Sequence, residues 1–529
     1  YSRLALLLAS LKPDGPVNII FMVVKRKQIN NVINLFVKSN PRAFYSIEDV
    51  RSVSELPTGA AHRISRRRNC NYLKLCLPFS LHAIISAALF TRAFFIYNRN
   101  SIMPRTIVIT TLFLIAFLPY TLPTGVAAQN DPNVARNLPI TGRAVPQLQA
   151  FDAAMSEFMR VHSVPGASLA LIKDGRVVYA RGFGYADRDS RETVRPESIF
   201  RIQSLTKTFT AIAIMQLVQR GIIALDTHVY DYLALEPFLA SGDTFDERWK
   251  LITIRQLLQH TGGWNRDATY DPLFQTARIA REMGRTPPAS AEDIARYMMG
   301  QPLDFDPDSK YTYSNLGYLL LGRVIEKASE TSYHDYVRIN IFRKLNMRSM
   351  MPAGGGLEER APNEVRYYSQ SNRMTTAWFG QYRGQSVPFA YQYPLSVHDS
   401  AGGLAGNVLD MARFVVALDD PQFDGLLSSE SVRQMQAQPP GAPGLDADGK
   451  PKNPYYGFGM SVRRYADSRN VWHNGALQYC CASRYAYIQS RRFGWVVLFN
   501  IRNNPDGKHL TALIGDVIYA TERKIDDWP

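Results

Sequence analysis

Apolar and polar positions in residues 145–182 follow first a helical and then a strand pattern. Residues 145–162 repeat apolar side chains at helical spacing, which predicts an amphipathic helix. Residues 167–173 and 176–182 are short apolar runs typical of buried strands. Asp174-Gly175 between them is a dipeptide that favours a tight type I′ turn, so we expect a β-hairpin here.

A second helix is predicted soon after the hairpin. Between Ser204 and Arg220 the apolar residues recur at helical spacing, and they are Leu205, Phe209, Ile212, Ala213 and Leu217. Gly221 follows, and glycine is common just beyond the C-terminal end of a helix. We therefore expect a strongly apolar, buried helix that carries Ser204 on its first turn.

The rest of the chain has a helical part and then a strand-rich part. Residues 225–400 contain short helical runs interrupted by Pro and Gly, as an inserted, mostly helical region does. Strand patterns then return at 456–463, 470–473, 480–489 and 494–501, before a last helix at 508–523. The short connections favour antiparallel pairing. The prediction is an α/β (α+β) fold in which N- and C-terminal strands share one antiparallel sheet flanked by helices.

The first 57 residues predict a small separate module. Residues 18–25 and 44–53 have strand patterns, and residues 26–38 between them have a helical one, which together make a β-α-β unit. The stretch DGPVNIIFMVVKRKQ and the later NPRAFYSIEDVRSV resemble the cytoplasmic module that ends certain YitT-like bacterial membrane proteins. That resemblance covers about residues 1–55 and implies a ferredoxin-like module, with no catalytic chemistry.

A secretory signal is predicted in the middle of the chain. Residues 58–102 form a basic and apolar linker without a clear fold pattern. Met103-Pro104-Arg105 is then a short basic head, residues 106–122 are apolar and uncharged, and Val126-Ala127-Ala128 is a small-residue cleavage site. Either two neighbouring genes are merged, the second starting at Met103, or one protein has a cytoplasmic module, a membrane segment at 103–128 and an exported domain. Both readings place residues 129–529 in the periplasm or outside the cell, membrane-anchored if Ala128 is not a cleavage site.

Charge and cysteine content exclude several function classes. The net charge of +15 is concentrated in residues 1–128, which carry +12, whereas residues 129–529 carry +3. The larger part of the chain is therefore not predicted to bind nucleic acid. The four cysteines form neither a disulfide framework nor a zinc pattern, and we expect no metal and no cofactor. Adjacent Cys480 and Cys481 are expected to be free buried thiols, although a strained vicinal disulfide is an alternative.

The sequence contains one Ser-x-x-Lys motif, Ser204 to Lys207, at the start of the predicted buried helix. Three residues apart on a helix, the two side chains share a face. An amine in a dry site has a lowered pKa and can help remove the serine proton, which makes the hydroxyl a nucleophile. Taken alone, such a motif is more often a helix cap beside a solvated lysine.

Tyr313-Ser314-Asn315 is the first stretch that favours a catalytic role for Ser204 and Lys207 over a helix cap. It precedes a predicted apolar helix, at a loop-to-helix junction of the kind that faces a cleft. A tyrosine phenolate near a lysine is a candidate general base, and an asparagine amide can hold a substrate carbonyl. The alternative is a capping Ser/Asn pair beside a packed tyrosine.

His473-Asn474-Gly475-Ala476 is the second such stretch, at the end of a predicted strand. An edge strand offers backbone N–H groups to an oxyanion, and glycine lets a substrate approach closely. Taken alone, the stretch is more often a hairpin turn with an incidental histidine. His260-Thr261-Gly262-Gly263 matches His-x-Gly equally well, but it precedes Tyr313 and is read as a loop that shapes the cleft. A Ser-His-Asp triad is a weaker alternative, because no Gly-x-Ser-x-Gly elbow is present.

Taken in order, Ser204-x-x-Lys207, Tyr313-Ser-Asn315 and His473-Asn-Gly475 resemble the serine β-lactamase and penicillin-binding superfamily. The Tyr-x-Asn form of the middle motif resembles the class C-like branch, which includes D-Ala-D-Ala carboxypeptidases, D-amino-acid amidases and esterases. Flanking stretches such as VPGASLALIKDGRVVYARGFGYAD and YSNLGYLLLGRVIE agree, and the resemblance extends from Phe151 to Thr521.

The resemblance implies a role for each residue. Ser204 would be the acylated nucleophile, and Lys207 and Tyr313 would share its proton. Asn315 would hold the substrate amide, and the oxyanion would lie between the backbone N–H groups of Ser204 and Ala476. His473 departs from the family, since many members have lysine there. Histidine is not a permanent cation, which favours an ester, amide or D-amino-acid peptide over a β-lactam.

The resulting expectation is an exported serine hydrolase that acts through an acyl-serine on a small-molecule or peptidoglycan-like substrate. Its alternative is a binding or sensor protein that is acylated by penicillins or cell-wall peptides without turning them over. A third possibility, a structural relative with a silenced site, is disfavoured because Ser204, Lys207, Tyr313 and Asn315 are all present.

Overall fold

The computed structural model describes residues 138–529 in full and, before them, the backbone of four strands. The chain divides into two compact units, 1–127 and 128–529. The predicted helix at 26–38, nearly all of the linker and the predicted signal segment at 103–128 lie outside the described residues. Among the residues described, no helix is long and apolar enough to cross a membrane.

The first unit contains a four-stranded antiparallel sheet. Its strands are β1 (Arg3–Ser10), β2 (Asn18–Lys25), β3 (Phe44–Val50) and β4 (Tyr72–Cys76), in the order β3-β1-β2-β4. The sequence predicted β2 and β3 but not β1, which lies between them. Because both pair antiparallel with β1, β2 and β3 run parallel to each other, as a β-α-β crossover requires.

The second unit is built on a nine-stranded antiparallel sheet. Its strands are β5 (Ile140–Thr141), β6 (Gly166–Lys173), β7 (Arg176–Asp187), β8 (Glu192–Thr193), β14 (Tyr455–Tyr456), β15 (Ser461–Arg464), β16 (Arg469–Leu477), β17 (Cys481–Ile488) and β18 (Phe493–Phe499). Their order in the sheet is β14-β15-β16-β17-β18-β6-β7-β5, with β8 paired to β7. The remaining short strands are β9 (Phe200–Arg201), β10 (Met351–Pro352), β11 (Met374–Thr376), β12 (Ser386–Pro388) and β13 (Leu404–Gly406).

Twelve described α-helices surround this sheet. They are α1 (Gln149–Val161), α2 (Thr206–Gln219), α3 (Val229–Leu233), α4 (Ile254–Leu258), α5 (Thr276–Glu282), α6 (Ala291–Met299), α7 (Asn315–Ser329), α8 (Tyr333–Val337), α9 (Asp399–Gly402), α10 (Val408–Ala417), α11 (Ser429–Met435) and α12 (Leu510–Glu522). Most of them lie in the predicted insert, which joins the two halves of the sheet.

The N- and C-terminal strands share one sheet, as the sequence predicted. β18 pairs along its whole length with β6, from Phe493 opposite Lys173 to Phe499 opposite Ala167. β18 is apolar throughout because both of its faces are buried. Trp495, Val497 and Phe499 pack toward α1 and α12, whereas Val496 and Leu498 face the larger core that includes α2. The predicted α/β (α+β) fold is confirmed.

The hairpin turn agrees with the prediction from local sequence, whereas the strands β14, β15 and β16 differ from it. Asp174 and Gly175 have φ values of 50° and 73°, as a type I′ turn requires. The single strand predicted at 456–463 is instead two strands, β14 and β15, because four residues between them turn. The strand predicted to end at His473 continues to Leu477, so His473 lies within β16 rather than at its end.

Candidate active site

Ser204 lies on a single turn of 3₁₀-helix, Gln203–Leu205, that leads into α2. Gln203 has φ 50°, a left-handed conformation that a residue with a side chain adopts only when its surroundings enforce it. α2 is buried on every side from Thr206 to Leu217. The serine therefore lies at the start of a fully packed helix.

Lys207 is completely buried and reaches three oxygen atoms with its Nζ. These are the Asn315 Oδ1 at 2.7 Å, the Ala401 carbonyl oxygen at 2.5 Å and the Ser204 Oγ at 3.3 Å. The amide and carbonyl oxygens can only accept, so each takes one N–H of the lysine. The Ser204 Oγ takes the third N–H of the charged lysine, and in the neutral amine the nitrogen lone pair faces this oxygen instead.

The electrostatics of the site favour that neutral amine. Burial and then the nearby Arg266 charge hold the pKa of Lys207 well below its usual range, and Asp271 only partly opposes them. Asp271 is joined to the lysine through Asn315, whose Nδ2 donates to the Asp271 carboxylate at 2.6 Å. Because the carboxylate must accept, the Asn315 oxygen is the atom that faces Lys207.

Tyr313 lies beside this group, with its ring 5.0 Å from Lys207 Nζ. Burial raises the pKa of Tyr313 above the ordinary tyrosine value, although the Ser204 hydroxyl and Arg266 partly oppose this. The phenol therefore keeps its proton at neutral pH. The sequence offered a Tyr313 phenolate as a general base, whereas the pKa directions favour Lys207 as the base and Tyr313 as a proton donor.

His473 is buried and neutral. Its Nδ1 lies 2.8 Å from the Asn474 carbonyl oxygen and must donate to it, so its Nε2 accepts the Tyr456 hydroxyl at 2.9 Å. Burial lowers the pKa of His473 to about 3. Both ring nitrogens are occupied, and the ring carries no charge at neutral pH.

Gly475 is required by packing beneath the site. A Cβ at this position would lie 2.2 Å from Ser483 Oγ and 2.4 Å from the Ile202 carbonyl oxygen. The sequence interpretation gave Gly475 the role of admitting substrate. That role stays a prediction, and the missing side chain also lets β16 lie against the turn that precedes Ser204.

These side chains line one open cleft of about 570 Å³. All of the sequence-predicted site residues except Lys207 line it directly, namely Ser204, Tyr313, Asn315, His473, Gly475 and Ala476. Lys207 lies beneath its floor, in contact with Ser204 and Asn315. The structure thus brings the predicted set together, while the role of each residue stays a prediction.

His260, the competing His-x-Gly residue, is behind the cleft rather than in its lining. Its ring packs 4.2 Å from the Tyr313 ring, and its Nδ1 accepts the Ser314 backbone N–H. This position agrees with the interpretation of its loop as one that shapes the cleft.

The cleft residues that sequence reasoning missed include Arg266, Asp271, Tyr456 and Arg502. Tyr456 belongs to YGFGMSV, a stretch used only as a family resemblance. The other three lie in loops whose local pattern contains no chemical signal, since their contacts with the site are long-range.

The remaining candidates for special chemistry are the two adjacent cysteines and any metal-binding cluster. Cys480 and Cys481 are free and buried, as expected. In the part of the chain that the structure describes, no group of three or more His, Cys, Asp or Glu side chains is arranged to hold a metal ion.

Comparison with known proteins identifies the family. Residues 151–518 match the Beta-lactamase family model, and residues 14–55 match a family described as "Uncharacterized protein conserved in bacteria (DUF2179)". Penicillin-binding protein 4* of Bacillus subtilis (strain 168) is 31% identical over 270 residues, which are 51% of this chain and 50% of that protein. The chain thus spans about half the length of this curated relative.

Two solved structures show the same fold. The octameric penicillin-binding protein homologue from Pyrococcus abyssi is 27% identical, with a TM-score of 0.52 over 72% of this chain and 79% of that chain. D-amino acid amidase from Ochrobactrum anthropi SV3, complexed with D-phenylalanine, is 21% identical, with a TM-score of 0.54 over 72% of this chain and 99% of its own. The family match covers more than half of the sequence, and the chain therefore belongs to the Beta-lactamase family, within the serine β-lactamase and penicillin-binding superfamily.

Proposed function

We propose that this protein is a serine hydrolase that works through an acyl-serine intermediate. The observation that carries the proposal is the fully buried Lys207 Nζ, which lies 3.3 Å from Ser204 Oγ and also donates to the Asn315 and Ala401 oxygens. An unprotonated amine beside a serine hydroxyl is the arrangement that general-base activation needs.

In the first step, Ser204 Oγ attacks the substrate carbonyl carbon while its proton moves to Lys207 Nζ. The carbonyl π electrons move to oxygen, and the oxyanion is stabilised by the backbone N–H groups of Ser204 and Ala476. The bond to the leaving group then breaks, and the leaving atom takes a proton from Tyr313. Lys207 returns a proton to the tyrosine, which leaves both groups neutral and the serine esterified.

In the second step, water attacks the acyl-serine carbonyl and gives its proton to the same pair. Collapse of this tetrahedral intermediate releases a carboxylic acid and restores the Ser204 hydroxyl. The net reaction consumes one water for each ester or amide bond cleaved, and the described residues supply every proton transfer.

The substrate class that we favour is an ester, an amide or a D-amino-acid peptide, ahead of a β-lactam. Neutral His473 supports this order, because a permanent cation at that position would suit a β-lactam carboxylate better. Export is part of the proposal, supported by the signal-peptide layout of residues 103–128. Mass spectrometry of the mature N-terminus tests it, and a start near Gln129 is expected.

The function is tested by Ser204→Ala with three probes: a 4-nitrophenyl ester, a D-Ala-D-Ala peptide and a fluorescent penicillin. The wild type is expected to turn over at least one of them and to show an acyl adduct in its intact mass on rapid quenching. Ser204→Ala is expected to lose both at an unchanged melting temperature. Turnover that survives in Ser204→Ala would refute the assignment of Ser204 as the nucleophile.

The same experiment separates the non-hydrolysing alternative. A sensor would show a long-lived adduct with the penicillin and negligible turnover of every probe. Recovery of the unmodified mass within minutes supports the hydrolase instead.

A further inference from the structure

Two cysteine thiols lie side by side where β17 begins. Cys480 and Cys481 are fully buried, and one thiol donates to the other across 2.8 Å between the Sγ atoms. Successive side chains on a strand point to opposite faces, so adjacent cysteines on a strand do not touch. Here Tyr479 has φ 57°, and the turn directs both thiols into the larger core that includes α2. The two thiols are therefore placed to react with each other.

A cation lies against this pair. Arg201 Nη1 approaches Cys480 Sγ at 3.9 Å, and Arg201 Nη2 is buried without a hydrogen-bond partner among the described residues. Glu364 contacts the same guanidinium at its Nε, 3.2 Å away. A guanidinium beside a thiol stabilises the thiolate, which is the reactive form. Burial, and then the contact with Cys480, raises the pKa of the Cys481 thiol, so Cys480 is expected to react first.

The pair also closes the turn that follows the proposed oxyanion donor. In the ladder between β16 and β17, Ala476 lies opposite Ala482, and Leu477 lies opposite Cys481. The backbone N–H of Cys480 donates to the Leu477 carbonyl oxygen at 3.2 Å, which completes the turn. A change of backbone conformation at the two cysteines therefore acts directly beside the Ala476 N–H.

A small cavity of about 210 Å³ reaches the same turn. Gln478 and Tyr479, the two residues before Cys480, line it, whereas neither cysteine does. A bulky reagent is therefore kept away from the thiols. Hydrogen peroxide is little larger than water and needs only a small opening of the turn, which makes a peroxide the oxidant that fits this site.

We propose that Cys480 and Cys481 are a redox pair, which a peroxide oxidises to a vicinal disulfide that lowers the activity of the neighbouring cleft. The Cys480 thiolate attacks one peroxide oxygen, the O–O bond breaks, and the products are a sulfenic acid and, after protonation, water. The Cys481 sulfur then attacks the sulfenic sulfur, and its proton leaves with the hydroxyl as a second water. The two thiols lose two electrons, and the peroxide gains them.

The expected effect on the cleft follows from the ring that the disulfide closes. This small ring contains the peptide bond between the two cysteines, and a peptide bond resists twisting. The turn then has to change its conformation, which moves the Ala476 N–H away from the oxyanion. The redox chemistry goes beyond the proposed hydrolase function, and only its readout as activity rests on that function.

The test uses the full chain with Cys70→Ser and Cys76→Ser, so that the vicinal pair holds the only thiols. The protein is treated with hydrogen peroxide and then with a reducing phosphine. Intact mass, peptide mapping without reduction, and kcat/KM for a 4-nitrophenyl ester are measured at each stage. Cys481→Ala and Cys481→Ser in the same background control for methionine oxidation, and two substitutions keep the control valid if one variant does not fold.

Peroxide is expected to remove two hydrogen atoms from the 480–481 peptide and to lower kcat/KM at least about tenfold, as loss of an oxyanion donor does. The phosphine should reverse both changes, and the controls should show no reversible loss. Thiols that stay reduced while methionines are oxidised, an unaltered kcat/KM in the disulfide form, or a reversible loss in the controls would overturn the inference. A reduced protein without turnover would remove the hydrolase function, whereas the mass change would still decide the redox chemistry.

Discussion

At the scale of single residues, the protonation of Lys207 is governed by its burial. Its Nζ donates to two oxygens that can only accept, and its complete burial disfavours the ammonium form. The same burial keeps the Tyr313 phenol protonated. Desolvation lowers the pKa of Lys207 and raises the pKa of Tyr313, because it always favours the uncharged form. The Lys207 Nζ and the Tyr313 ring on which burial acts lie 5.0 Å apart.

The first prediction concerns pH dependence. The rate should rise with pH as Lys207 loses its proton, and the rise should lie well below the usual lysine range. Arg266 lowers the pKa of Lys207 and Asp271 raises it. Arg266→Gln should therefore move the rise in kcat/KM to higher pH, and Asp271→Asn should move it to lower pH. Profiles of kcat/KM against pH measure both shifts.

Arg343→Gln is the control, since it removes a charge from an exposed position outside the cleft and should leave the profile unmoved. Shifts of the two cleft variants in the same direction would contradict the assignment of Lys207 as the titrating base.

The second prediction concerns His473. In Tyr456→Phe its Nε2 loses the hydroxyl that it accepts, and an unpaired buried acceptor costs about 1–3 kcal/mol. The free energy of unfolding should fall by about that amount, as measured by urea denaturation. We also expect a higher KM, because the ring at the cleft wall is no longer held. Unchanged stability and KM would show that this hydrogen bond is dispensable.

At the scale of elements, the site depends on how closely β16 lies against the turn before α2. The Ile202 carbonyl oxygen and Ser483 Oγ fill the space where a Gly475 side chain would lie. Ser483 Oγ donates to that same carbonyl at 2.7 Å, which ties β17 to the turn as well. Strand and turn thus fix where Ser204 points.

The third prediction is that Gly475→Ala forces this contact apart. Its Cβ would lie 2.2–2.4 Å from Ser483 Oγ and the Ile202 carbonyl oxygen, closer than atoms can approach. We expect kcat/KM to fall by at least about tenfold, and stability to fall by about 1–3 kcal/mol, the usual cost of overpacking. Steady-state kinetics and thermal melting measure the two effects.

Gly317→Ala is the matched control. It lies on α7 close to Asn315, but its Cβ would make only an ordinary contact, 3.4 Å from the Leu257 carbonyl oxygen. Its stability should be unchanged or slightly higher, since alanine favours a helix. Equal losses in both variants would refute the packing argument.

At the scale of the whole second unit, a buried ion pair joins parts of the chain that are far apart in sequence. Arg201 on β9 lies three residues before Ser204, and its Nε is 3.2 Å from Glu364 Oε1. Both side chains are essentially inaccessible to water. Arg201 Nη1 also donates to the Ala390 carbonyl oxygen at 3.0 Å, so the insert is tied to the segment that carries the nucleophile.

The fourth prediction is that Glu364→Gln lowers the free energy of unfolding by about 3–5 kcal/mol, because it leaves the Arg201 charge buried without a partner. Glu430→Gln is the control, since it breaks the exposed pair with Arg433 and should cost at most about 1 kcal/mol. Urea midpoints of the two variants measure the difference. Similar midpoints would mean that water reaches the Arg201 pair.

Much of the fold was predictable from sequence because it follows from the local spacing of apolar residues. The 174–175 hairpin, the buried helix α2 and the apolar strand β18 each follow from residues that are neighbours in the chain. The limits of β14–β16 were not predictable, because a turn within one apolar run and the extension of a strand past His473 depend on what packs against them.

For this protein the sequence by itself determined the order of elements, the family resemblance and the side chains Ser204, Lys207, Tyr313 and His473. Only the tertiary structure decided their protonation, since the pKa of a buried group depends on desolvation and on charges such as Arg266 and Asp271 that arrive from distant loops. It also added a packing role for Gly475 and placed Arg502 at the cleft. The local sequence pattern does not encode contacts between segments that meet only when the chain folds.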